Sequence, residues 1–203
     1  RPLSYRSGRF GFSAAHVSSL ERAGYLVESS VAPLFYEAHK GGPDFVEAPI
    51  TPYFLAYDSA TRPGTSRLLE VPVSAALDRR VPRRLAYAWA RAPRNYQTKR
   101  WLRRLRIVKL LWLRPSYSSL GDMTKLAERL QRQRVPVLNL IFHSSEAIAG
   151  GSPYNRTAAD VDRFLSTLER FFEHTIGRLG AVPMTFAGFR ARWVGPGGVA
   201  VRG

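Results

Sequence analysis

His143 follows an apolar run, Leu138-Asn-Leu-Ile-Phe142, and opens a polar stretch of Ser144, Ser145 and Glu146 ahead of Gly150-Gly151. An imidazole in such a place suits acid–base work, because its neutral form accepts a proton and its charged form donates one. Glu146 is placed to fix the tautomer of that ring or to raise its pKa. The plainer alternative is a histidine that caps a strand and bonds loop backbone. His16, His39 and His174 fall in separate parts of the chain, with no His-x-x-His or His-x-x-x-His spacing and no Asp-Asp pair. A mononuclear metal site needs three converging imidazole or carboxylate ligands, and this sequence does not assemble them. With no cysteine, disulfides and thiolate metal sites are excluded.

A second candidate is Arg6-Ser-Gly-Arg-Phe-Gly11. Glycines beside arginines allow close backbone approach to a ligand, and amides opening the next helix attract anions. The spacing is not that of a P-loop, and a surface turn would read the same way. The third feature is charge. The net charge is +16, and thirteen Lys or Arg with no Asp or Glu lie between Arg79 and Arg114. Tyr96, Trp101 and Trp112 interrupt that run. Such a segment either docks on an anionic membrane surface or nucleic acid, or is simply a solvated face.

These residues need elements to hold them. Ser13–Ala23 reads as a capped helix stopped by Gly24, with Tyr25–Val27 as a strand after it. Residues 32–67 read as a long loop with extended pieces and one hairpin. Leu68–Val73 reads as a strand, at an edge or ending at Pro72. Arg83–Lys109 is expected to be partly helical and broken by Pro93, and Leu110–Leu113 reads as a brief strand. Ser119–Arg134 reads as a helix with a Ser119/Asp122 cap, and Val135–Phe142 as a strand buried on both faces. Thr157–Leu179 carries an apolar stripe from Val161 to Leu179 and a Thr157/Asp160 cap. The last fifteen residues read as a frayed tail. The longest apolar runs are too short to span a bilayer. Helices alternating with short strands predict an α/β fold, with its chemistry at strand C-termini.

Together these pieces resemble the polysaccharide deacetylase family, the NodB-homology or carbohydrate esterase 4 fold, from Tyr5 to about Phe189. Ile141-Phe-His143, with Ser144-Ser-Glu146 and Gly151-Ser-Pro-Tyr154 after it, is similar to the family's last motif. Arg6–Gly11 is similar to its central Arg motif, although one residue longer and without the usual proline. Tyr25–Val31 is similar to the next strand, with Glu28 where Asp is usual. The resemblance implies a distorted (β/α) barrel over residues 1–188, a basic excursion at 79–109 and a tail at 189–203. It also implies removal of acetyl groups from an N- or O-acetylated polysaccharide or oligosaccharide, with a divalent metal, usually zinc. By that carry-over His143 is the acid and Arg6 holds a catalytic Asp. Backbone near Phe10 and Gly11 binds the oxyanion, and Glu146 lies on the substrate side. The metal ligands belong to two motifs that come before the Arg motif, so this chain alone is expected to be inactive. The rival expectation is a non-catalytic basic module that uses 79–114 to dock on an anionic membrane, with nucleic acid the weaker partner.

Overall fold

A computed structural model describes residues 1–92 and 108–195. In chain order its elements are β1 (Ser4–Tyr5), α1 (Val17–Arg22), β2 (Val27–Glu28), β3 (Tyr53–Phe54), β4 (Leu69–Glu70), β5 (Ala75–Leu77), α2 (Arg83–Arg91), β6 (Leu110–Trp112), α3 (Leu120–Arg132), α4 (Ala158–Phe172) and α5 (Phe186–Val194). The fold is mixed α/β with two small sheets, and no closed barrel is present among the described residues. No described helix is long and apolar enough to cross a membrane. The chain divides into two compact units.

The first unit comprises Arg1–Pro72, Tyr87–Arg91 and Pro183–Gly203. Its sheet has the order β1-β2-β4-β3; β1, β2 and β4 are parallel, and β3 is antiparallel. Parallel neighbours need a crossover, and α1 supplies the one between β1 and β2. Ser13 caps the 3-10 turn Ala14–His16 that leads into α1, and its amide donates to His16 Nδ1 at 3.1 Å. His16 is thereby spent on the cap. Gly24 ends the helix at φ +81, a left-handed conformation that glycine adopts without a Cβ clash. Phe12, Val17, Leu20, Val31, Phe45, Leu55 and Leu68 form the core over the sheet. The loop 32–67 is pinned by bridges Tyr36–Asp44 and Leu55–Pro63. β4 lies inside the sheet and stops short of Pro72, so Pro72 marks a strand end and not an edge. Helix α5, capped by Thr185, buries Phe189 and Trp193. The expected tail at 189 therefore begins too early, because the helix runs on to Val194.

The second unit comprises Val73–Ala86 and Ala92–Val182. β5 and β6 pair antiparallel, Ala75 opposite Trp112. Val135–Phe142 is not a strand, contrary to expectation. It is irregular chain held at two points, where Asn139 exchanges bonds with Ser74 and Ile141 N donates to Leu113 O at 2.9 Å. Val135, Asn139 and Ile141 are buried while Phe142 is exposed, so it is not covered on both faces. Helix α3 starts at Ser119, whose Oγ accepts from Asp122 N, and buries Met123, Leu126, Ala127 and Leu130. Helix α4 starts with a Thr157/Asp160 capping box and continues as a π-helical turn over Glu173–Arg178. The buried stripe is narrower than expected, since Leu165 and Phe172 are exposed, and it does not continue through that turn. Phe164, Leu168 and Phe171 are buried, but Thr175 takes the next inward place and Ile176 is exposed. Helix α2 fulfils the helical expectation for the start of the basic segment, whereas Pro93 and the rest of residues 93–107 of the excursion lie outside the described residues.

Candidate functional site

In the first unit, Arg6 follows β1 directly while Glu28 and Glu70 end β2 and β4, so all three stand at the C-terminal ends of parallel strands. That is where an α/β sheet ordinarily presents its chemistry. Both glutamates are fully buried and stand opposite each other in the ladder. Glu28 Oε2 accepts from Ser30 N at 2.8 Å, and Glu28 Oε1 accepts from the Ser30 hydroxyl. Glu70 Oε1 accepts from Val31 N at 3.1 Å, and Oε2 has no hydrogen-bond partner. Burial first, then the neighbouring Glu28 carboxylate, pushes the Glu70 carboxyl well above the usual carboxylate range; the Val31 amide and Arg6 act the other way. Two carboxylates in one dry site do not both ionise readily, and Glu70 is the one held toward its protonated form. Burial and the same two glutamates raise the Tyr53 phenol, which donates to Ala60 O at 2.6 Å.

The Arg6–Gly11 turn is strained. Arg9 (φ 53) and Phe10 (φ 59) both occupy the left-handed region, at about 1–2 kcal/mol each for a non-glycine residue. The Phe10 ring lies 5.0 Å from that of Phe35 and 5.8 Å from the Arg6 guanidinium. Ser7 N donates to Ser30 Oγ at 2.7 Å and ties the turn to the end of β2. Gly11 N donates to Gly8 O at 2.9 Å, so that amide is consumed inside the turn and is not offered to an oxyanion.

In the second unit, His143 is exposed and precedes a 3-10 turn, Ser144–Ala147. Glu146, fully buried, holds this loop. Its Oε1 accepts from His143 N at 3.1 Å and from Arg114 Nη2 at 3.4 Å, its Oε2 accepts from the Ser116 hydroxyl, and its main-chain oxygen accepts from Asn155 Nδ2 at 2.6 Å. Both carboxylate oxygens are occupied. Glu146 therefore grips the His143 backbone and does not orient the ring, and its burial keeps it from a substrate. The Arg114 guanidinium lies 4.1 Å from the centroid of Tyr117 and 5.9 Å from that of Tyr154. The two tyrosines meet edge to face at 5.7 Å, their hydroxyls 3.0 Å apart, and both rings are about half exposed. The result is a polar-rimmed aromatic ledge, joined to the His143 loop through Arg114 and Glu146.

Arg6, Phe10 and Gly11 thus belong to the first unit, His143 and Glu146 to the second. Sequence reasoning missed Glu70, Arg114 and the tyrosine pair. A lone acid inside the apolar run Leu68–Val73 was a usable signal for Glu70. Arg114 was hidden among the thirteen cations of its segment.

Neither a protein-family model, nor a curated protein, nor a solved structure matches this chain. Among the described residues no three His, Asp or Glu converge to hold a metal ion. The described residues therefore do not by themselves fit a zinc centre, and no chemical step is derived through one.

Proposed function

We propose that this chain is the C-terminal part of a distorted (β/α) barrel of the polysaccharide deacetylase type, acting on N- or O-acetylated sugars. The observation that supports it best is the His143 loop: an exposed imidazole, a buried Glu146–Arg114 pair beneath it, and the Tyr117–Tyr154 ledge joined to that pair. Aromatic rings offer a flat apolar face to the C–H side of a sugar, and their hydroxyls bond its rim. In this reading His143 donates the proton to the leaving amine or hydroxyl oxygen as the acyl bond breaks. A group of that kind contributes about 10²–10⁴-fold. Glu146 and Arg114 are positioning residues, because their polar contacts hold the loop. Arg6, directly after β1 in the first unit, would hold a catalytic Asp brought by motifs outside these residues. A divalent metal, supplied by motifs outside these residues, would polarise the acetyl carbonyl. The test is acetate release from acetylated chito-oligosaccharides and from O-acetylated xylan. A protein in which this chain is continued by those metal-bearing motifs should release acetate, and the 203 residues alone should not. No release by the continued protein on either substrate would refute the reading.

A further inference from the structure

Four arginines line one cavity of the second unit. It holds about 210 Å³ between Asp78, Arg79 and Arg80, just beyond β5, and Arg129, Arg132 and Gln133, at the end of α3. The position of Arg129 and Arg132 has a local reason: cations in a helix's last turn complement its negative end. That reason does not reach Arg79 and Arg80, which come from a separate segment to the same space.

The charge in the cavity is poorly compensated. Asp78 is the sole acid in its lining. One of its oxygens already accepts from Lys109 N at 2.9 Å, and Arg79 Nε lies 3.7 Å away. Arg132 meets Glu128 only at 3.8 Å, in an exposed pair of a kind that contributes little. Arg80 has no hydrogen bond or ion pair among the described residues. Arg129 donates to Leu77 O, and burial, then Arg80 and Arg132, draw its pKa below the ordinary arginine value. Like charges have been gathered at a cost, and a multivalent anion would relieve it.

Size narrows the ligand. The cavity volume of 210 Å³ corresponds to about seven waters and falls below the roughly 300–1,000 Å³ of sites for drug-sized ligands. An open site of that size accommodates a phosphate or diphosphate group. Guanidinium forks match phosphate oxygens two at a time.

We propose that the Arg79, Arg80, Arg129 and Arg132 cavity binds a phosphate group, a monoester or a diphosphate. This is independent of acetyl hydrolysis. The group could come from a free compound or a lipid headgroup, and two arms separate these sources. In one arm, inorganic pyrophosphate is titrated calorimetrically into the protein at fixed ionic strength. In the other, the protein is sedimented with phosphatidylcholine vesicles containing phosphatidate. Saturable one-to-one pyrophosphate binding supports the site and favours a free compound; binding to phosphatidate vesicles alone supports it and favours a headgroup. In either arm Arg80→Gln combined with Arg132→Gln should weaken binding at least tenfold, with the melting temperature kept or raised. Arg163→Gln, an exposed cation on α4, should leave it unchanged. Absence of saturable binding in both arms, or an equal loss with Arg163→Gln, would overturn the proposal.

Discussion

Glu70 and Glu146 are the same residue type and both are fully buried, yet they keep opposite company. Glu70 faces a second carboxylate, Glu28, across a parallel ladder and leaves one oxygen without a partner. Glu146 faces Arg114 and spends both oxygens on donors. Burial therefore does not decide what a carboxylate does in this protein; the sign of its neighbour does. In the second unit the buried acid becomes a clamp under an exposed histidine. In the first it becomes a place where a proton is retained at strand ends.

The largest expected effect comes from breaking the clamp. Arg114→Met leaves Glu146 buried beside no cation and should cost about 3–5 kcal/mol of stability, read from urea unfolding. A loss under about 1 kcal/mol would mean that Arg114 is not what holds Glu146.

The acidic pair should respond with the opposite sign. The folded pKa of Glu70 is raised, so the folded protein keeps a proton that the unfolded chain releases above about pH 4.3. Its contribution is complete below that pH and is lost as pH rises toward the folded pKa, by up to about 1.4 kcal/mol per pH unit. Glu70→Gln should flatten that decline and stabilise the protein at neutral pH. Urea midpoints from pH 4 to 8 check this, and an unchanged slope would place the proton elsewhere.

Smaller effects test the local scaffolds of the two regions. Ser119→Ala removes the α3 cap and should cost about 1 kcal/mol, seen as a lower thermal midpoint. Arg9→Gly relieves one left-handed residue and should gain up to about 1 kcal/mol by the same measurement.

What sequence could tell follows the range of the forces involved. Helices α1, α3 and α4 were legible because caps such as Ser119/Asp122 and Thr157/Asp160 lie within one turn. The Val135–Phe142 run was not, because an apolar stretch becomes a strand only where a partner edge accepts its whole ladder, and here Ser74 and Leu113 accept just part of it. The stripe of α4 was read too wide, since Leu165 and Phe172 are exposed, and beyond Phe172 a change of winding cannot be read from apolar spacing. His143 does open a polar loop, but not at the strand end expected for it, since no strand precedes it, and the role of Glu146 depends on Arg114, 32 residues away. The Glu28–Glu70 pair joins positions still farther apart in the chain, and only sheet registration brings them together.

The role of His143 is tested most directly by acetate release from the metal-loaded protein carrying these residues, compared with its His143→Ala variant. Turnover should fall about 10²–10⁴-fold while zinc affinity, measured calorimetrically, and melting temperature stay nearly unchanged, because the variant keeps the main-chain amide of position 143 that Glu146 holds. Unaltered turnover in that variant, with zinc bound and the fold intact, would contradict the assignment of His143 as the acid.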